Sequence, residues 1–250
     1  MGEFWDAERG TRAAAWCGIY IVCWFLQLMS CDVGLPSNCT RVSAPMDVLT
    51  ELPFLLAFAV GQAFFCDVLD TSRSHALSKR RYFPATLIAS ALITSALMGV
   101  DDFADLHSKQ QGLTTAASAV SVLLVIFVGL VVLYHFFLAW KLLPGGWMGY
   151  GLQSGRVPET GSPSPAGLNR FVQYFWTACL ITTYVILYMS FAGSGGDGWD
   201  YHYVLLAWVM SLLATFDDPI SILWLGITTG CFLQGVGAYS FRVVFYGSRE

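Results

Sequence analysis

Seven apolar runs, parted by short stretches that hold nearly all the charge, set the strongest limit on what this chain can fold into. They cover residues 13–29, 46–66, 84–100, 115–140, 171–192, 202–216 and 220–241. A helix rises about 1.5 Å per residue, so roughly 20 apolar residues cross a hydrocarbon core about 30 Å thick. Backbone groups in such a core must be satisfied internally, and a long apolar run achieves this as a helix. Apolar residues make up 56% of the chain and charged residues 12%, about half the charged share of a soluble domain. The expectation is an all-α, polytopic transmembrane bundle of about seven spans, one domain over 1–250 with little mass outside the bilayer. The sixth run is short, and Asp217-Asp218-Pro219 cuts it from the seventh. A tight turn between two spans and a broken pair that re-enters both fit. The proline favours the turn, because it ends a helix at the residue before it.

Orientation follows from lysine and arginine. With the N-terminus cytoplasmic, the inner loops hold nine: Arg9, Arg12, Arg73, Lys79, Arg80, Arg81, Lys141, Arg156 and Arg170. The outer loops hold four: Arg41, Lys109, Arg242 and Arg249. The N-in arrangement puts Asn38-Cys39-Thr40, a glycosylation acceptor, on the lumenal side. Cys31 and Cys39 share that loop and pair there if it is lumenal. Residues 141–170, rich in Gly, Pro and Ser, read as a flexible cytoplasmic connector. Trp5, Trp16, Tyr82, Trp140, Trp199, Tyr201 and Tyr246 stand near span ends as interface anchors. The mixed-charge N-terminal segment lacks the pattern of a cleaved signal, so the first span serves as an anchor in the endoplasmic reticulum or another endomembrane.

Some partners are excluded at this stage. A net charge of −4 does not suit nucleic acid, which needs a basic face. No CxxC pair and no Cys/His cluster at ligand spacing occurs among the seven cysteines, so neither a metal nor a cofactor is expected. The lipid bilayer is the expected partner.

Ionisable residues inside a span are costly and are functional candidates. Glu51 lies about one turn into the second run, four residues after Asp47, so both carboxylates share a helix face. The plain alternative places Glu51 in a first helical turn, beside the positive helix end. Asp101, Asp102, Asp105 and His107 follow the third run on the same side, either as an acid/base or cation site or as a solvated acidic rim. On the opposite side stand Asp67, Asp70, Arg73 and His75, then Asp217 and Asp218, the last able to cap the final helix. His135 is the histidine well within a run and, with Gln234, is a candidate for binding substrate. Gly226, Gly230 and Gly237 fall near one face of the last run, forming a small-residue seam. That seam suits close packing within the chain or a homo- or hetero-oligomer.

In plan the chain resembles the small seven-span integral-membrane terpene cyclases of fungal secondary metabolism. The features that carry the resemblance are its length, the near absence of extramembrane mass, Glu51 in an early run and Asp218 near the last. The family's glutamate usually follows Trp, whereas Leu49-Thr50 precede Glu51 here. The resemblance implies a membrane enzyme that protonates a lipophilic olefin or epoxide, with Glu51 and Asp218 as acids. Such chemistry needs a carboxylic acid kept neutral by burial and an aromatic-lined pocket. Orientation alone puts Glu51 and Asp218 near opposite faces. The other class is a non-enzyme, either a transporter or an accessory subunit packed through the glycine seam.

Overall fold

The first apolar run forms α1, Ala7–Asp32, and its buried apolar residues recur every four positions: Trp16, Tyr20, Trp24 and Leu28. That spacing keeps one face toward the neighbouring helices, while Val22, Phe25, Leu26 and Met29 on the other side are exposed. The computed structural model describes residues 7–34, 39, 45–98, 115–141, 171–172, 174–181, 183–184 and 202–246. Among them every regular element is a helix. After α1 come α2 (Pro45–Phe65), α3 (Thr71–Lys79), α4 (Tyr82–Met98), α5 (Thr115–Trp140), α6 (His202–Ser211) and α7 (Pro219–Tyr246). The described residues of 171–184 are also helical. The stretch 141–170 lies outside the described residues after Lys141.

Two of these helices, Ala7–Asp32 and Pro219–Phe241, are long and apolar enough to cross a membrane, and Leu49–Phe65, Tyr82–Leu97 and Ile126–Trp140 are shorter apolar helices.

Contacts give the direction of each helix. Arg12, near the start of α1, donates Nε to the Leu69 carbonyl at 2.8 Å, just past α2. Arg80 donates to the Asp217 carbonyl at 3.2 Å, between α6 and α7. These turns and α3 therefore share one end of the molecule, the basic end, with Arg12, Arg73, Lys79, Arg80 and Arg81. At the other end Cys31 and Cys39 are disulfide-bonded, and Cys31 Sγ lies 3.9 Å from the Gly237 carbonyl. Parallel to α1 runs α4: Phe83 stacks on Trp16 at 5.8 Å and Ser95 donates to Gln27 at 3.2 Å. His135, near the end of α5, and Tyr174 both meet Phe216 at the basic end. Successive apolar helices thus alternate in direction.

The hub is α7, which packs on α4 most extensively, then on α6, α1 and α2. Its glycines make this possible. A Cβ at Gly226 would overlap Thr86, and one at Gly230 would overlap the Ser90 hydroxyl and the Leu87 carbonyl of α4. At Gly235 it would overlap Val204 of α6, and at Gly237 it would meet Gln27 of α1. The seam read from the sequence is therefore divided: Gly226 and Gly230 face α4, whereas Gly237 faces α1. Within one chain those faces are already covered.

A polar knot ties four helices together near the basic half. Gln62 of α2 is fully buried. Its Nε2 donates to Ser211 Oγ of α6 and, at 3.0 Å, to Thr229 Oγ1 of α7, and its Oε1 accepts the Tyr20 hydroxyl of α1. Such buried amides are stable in an apolar surrounding only when their hydrogen bonds are made.

Three features depart from the sequence reading. The segment after Asp70, taken as a loop, is the helix α3, N-capped by Asp70, whose carboxylate accepts from the Ser72 N–H. The sixth run, expected to 216, is helical only to Ser211, and tight turns follow through Thr215. The last run continues to Tyr246 but breaks at Ser240, where φ is 69° and ψ 149°. Phe241 turns back onto Phe54, Phe58 and Phe232, with ring centroids 5.6 to 6.2 Å apart.

The end of α2 offers a test of backbone strain. Val68 N–H bonds the Ala63 carbonyl at 2.9 Å and Asp67 N–H the Phe64 carbonyl at 3.4 Å, a Schellman closure with Asp67 at φ 55°. Glycine is the residue that takes this left-handed position without steric cost. Asp67→Gly should raise stability by about 0.5–1 kcal/mol, read as a higher midpoint of thermal unfolding in detergent. A lower midpoint would show that the carboxylate contributes more than glycine's freedom.

Candidate functional site

The basic end gathers polar side chains that are scattered in sequence. Arg73 sits on the inner face of α3, one turn from buried Leu77, and is almost wholly buried. The last carbonyls of a helix have no partner within it, and the short α6 breaks into turns that leave Ala214 and Phe216 in that state. Arg73 supplies the missing donors: Nη2 bonds the Ala214 carbonyl at 2.8 Å and Nη1 bonds the Phe216 carbonyl. The Asp217 carboxylate lies 3.3 Å from Nη1. Burial lowers the pKa of the guanidinium, and the neighbouring Asp217 charge opposes this. Arg73 stays a cation over any physiological range.

Asp218 begins α7. Its Oδ2 accepts the Ile220 N–H at 2.9 Å and its carbonyl the Ile222 N–H at 3.0 Å, with Pro219 at the first helical position. This is an N-cap, which accounts for Asp-Pro at this point. The same carboxylate stands beside the Tyr134 hydroxyl and within electrostatic reach of His135.

His135 is fully buried on α5. Its Nδ1 lies 2.7 Å from the Val131 carbonyl. Since that oxygen can only accept, Nδ1 carries the proton, and in the neutral ring Nε2 is left with a lone pair. Among the described residues Nε2 has no hydrogen-bond partner. Aromatic rings close around the imidazole: Phe216 at 6.0 Å, with Tyr174 5.3 Å beyond it, and Tyr134 at 6.0 Å. A buried base, a nearby carboxylate and a fixed cation are the elements of acid–base chemistry in an apolar setting.

Glu51 is also buried, but at the opposite end of α2. It stands one turn before Phe54, which meets Phe241 far along α7. Asp218 starts α7, and the 23-residue helix Pro219–Phe241 has a rise of about 35 Å. The two acids that the resemblance pairs are therefore on the order of 30 Å apart along the bundle. Gln234 is fully buried on α7, on the far side of the polar knot from Asp218. Asn38, Asp101 and Asp102, with Asp105 and His107, lie outside the described residues. Among the described residues no group of three or more His, Cys, Asp or Glu could hold a metal ion.

Sequence reasoning set Arg73 and Asp218 on one side, marked His135 separately, and missed Tyr134, Tyr174 and Phe216 as their company. One signal was present: Arg73 and Leu77, four apart, lie on one face of a short helix that follows a capping aspartate. Compared with family models, curated proteins and solved structures, the chain matches none.

Proposed function

We propose that this chain is a seven-span endomembrane enzyme, N-terminus cytoplasmic, that performs acid–base chemistry on a lipophilic small molecule at its basic end. Three features support the membrane part. The polarity of the described residues is inverted: Gln62, Gln234, Thr229, Ser211 and His135 are fully buried, while Leu123, Leu130, Leu133, Trp176 and Leu180 are at least 60% exposed. Hydrocarbon is the solvent that rewards this arrangement. The alternation of helix directions fits repeated crossing. The basic cluster at one end and the Cys31–Cys39 disulfide at the other agree with the positive-inside rule and an oxidising lumen.

One observation carries the site: His135 Nε2, a buried lone pair among aromatic rings, with Asp218 near enough to stabilise the imidazolium formed when the ring takes a proton. Glu51 and Asp218 do not act on one substrate in this reading, so His135 with Asp218 replaces the pair that the cyclase resemblance implies. Acid-initiated cyclisation of a terpenoid remains within this class of chemistry, with the imidazolium as proton source.

The test is a profile of lipophilic small molecules from cells that carry the gene, lack it, or express His135→Ala or Glu51→Gln at equal protein level. The expected result is that deletion and His135→Ala both accumulate the same precursor, with turnover reduced about 10²–10⁴-fold, and that Glu51→Gln does not. Loss in Glu51→Gln with a normal His135→Ala would move the chemistry to the opposite end. An unchanged profile on deletion would favour a transporter or accessory subunit.

A further inference from the structure

The basic end carries more cations than its packing uses, and part of the surplus lies in one place. Arg12 and Arg73 donate to main-chain carbonyls in turns between helices, and Arg80 does the same at Asp217. Lys79 and Arg81, which flank Arg80, are exposed. Among the described residues neither has a side-chain hydrogen bond or an ion pair. Residues 71–81 contain no Asp or Glu. The acids on either side are engaged: Asp70 caps the far end of α3, and Asp217 lies against Arg73.

The residue between the two cations sets them side by side. Arg80 N–H bonds the Ala76 carbonyl at 3.2 Å, closing α3, and its carbonyl accepts the Phe83 N–H at 3.0 Å. Its guanidinium reaches the Asp217 carbonyl at 3.2 Å and the Tyr82 hydroxyl at 2.6 Å. The backbone at Arg80 is extended, with φ −91° and ψ 95°, and side chains alternate along extended chain. Arg80 points in toward the α6–α7 turn, so Lys79 and Arg81 both point out. Two residues span at most about 7 Å, which two long side chains bridge to meet one phosphate. A corner fixed in this way loses little freedom when it binds.

The corner runs straight into an apolar track. Ala85, Ile88, Leu92 and Ala96 are exposed along α4, at spacings that keep them on one helix face. Unpaired cations call for an anion, and the track beginning at the same corner calls for a hydrocarbon chain attached to it.

We propose that Lys79 and Arg81 hold the phosphate of an anionic phospholipid whose acyl chain lies along Ala85, Ile88, Leu92 and Ala96. The inference rests on the membrane-spanning reading above and is independent of the chemistry at His135. A zwitterionic head would set its own cation beside two others. An anion without chains would leave the track unused.

The experiment uses the full chain in mild detergent, with lipid binding read by native mass spectrometry. The probes are phosphatidylserine, phosphatidylcholine with the same chains, and glycerophosphoserine, the serine head without chains. Phosphatidylserine is expected to bind saturably and more tightly than either of the others. Lys79→Gln and Arg81→Gln should each weaken it about fivefold, and the double variant about thirtyfold. Both residues are exposed, so the variants should keep the monodisperse peak of the parent. Lys141→Gln removes another exposed cation at the same end, one seated over the Phe137 ring. It should change the affinity less than about twofold. Equal loss in all three single variants would mean a diffuse field around the basic end, and would overturn the site. So would phosphatidylcholine or glycerophosphoserine binding as tightly as phosphatidylserine. Any of these results in a chain that resists alkaline carbonate extraction would sink only the lipid site. Release of the chain by carbonate would sink the membrane-spanning reading itself.

Discussion

Gly230→Leu should abolish the folded protein: size-exclusion chromatography in mild detergent should show loss of the monodisperse peak. The reason is the identity of what a side chain would meet. A Cβ at this position overlaps the Leu87 carbonyl and lies 3.2 Å from the Ala91 N–H, both backbone atoms of α4, besides the Ser90 hydroxyl. Backbone in a helix cannot rotate aside as a side chain can, so the two helices would have to part. Overpacking costs about 1–3 kcal/mol even where neighbours adjust. Gly230→Ala should already lower the melting midpoint, and leucine should exceed what a marginally stable bundle tolerates. Gly18→Leu and Gly129→Leu are the matched controls, since nothing stands within 4 Å of a Cβ at either site. If Gly230→Leu gave the yield and midpoint of those controls, α4 and α7 would have to be separable by the width of a side chain.

Arg73→Met should be the most damaging substitution of a charged residue, at about 3 kcal/mol or more. The loss does not come mainly from the ion pair. Asp217 has 48% of its side chain exposed, so solvent screens that attraction and Asp217→Asn should cost under about 1 kcal/mol. The damage comes from the Ala214 and Phe216 carbonyls, which lose their donors where α6 has already ended. Each orphaned group is worth about 1–3 kcal/mol. Limited proteolysis at the α6–α7 turn should become fast in Arg73→Met and stay slow in Asp217→Asn. Equal protection of both would mean that the turn holds its carbonyls by other means.

The helices were legible because each is written in one long apolar run, and the run boundaries at 46–66 and 115–140 fall within a residue of α2 and α5. The short α3 was not, since TSRSHALSK carries no apolar stripe beyond Ala76 and Leu77 and takes its stability from Arg73 reaching a turn 141 residues away. The early end of α6 was hidden for the same reason: the residues that stop it and satisfy it belong to other elements. Small residues in the last run announced close packing but not with which helix. Asp218 was visible in company with Arg73 on one side, and His135 as an unusual residue alone. What joins them is the return of α5 to the basic end, a fact about helix direction that loop charges implied and side-chain contacts specify. Glu51 drew attention by being acidic in an apolar run; its distance from Asp218 follows from the same alternation.

The position of α7 as hub has a consequence in time. In chain order it follows α1, α2, α4 and α6, all of which pack against it. A ribosome delivers those four helices before their shared partner exists. Until Pro219–Tyr246 emerges, Gln62 lacks Thr229, Ser95 and Gln27 face an open groove, and the α4 surface shaped for two glycines has nothing to receive. Packing of these four helices therefore waits for α7, and until then they are natural substrates for chaperones and for degradation of chains that stop early.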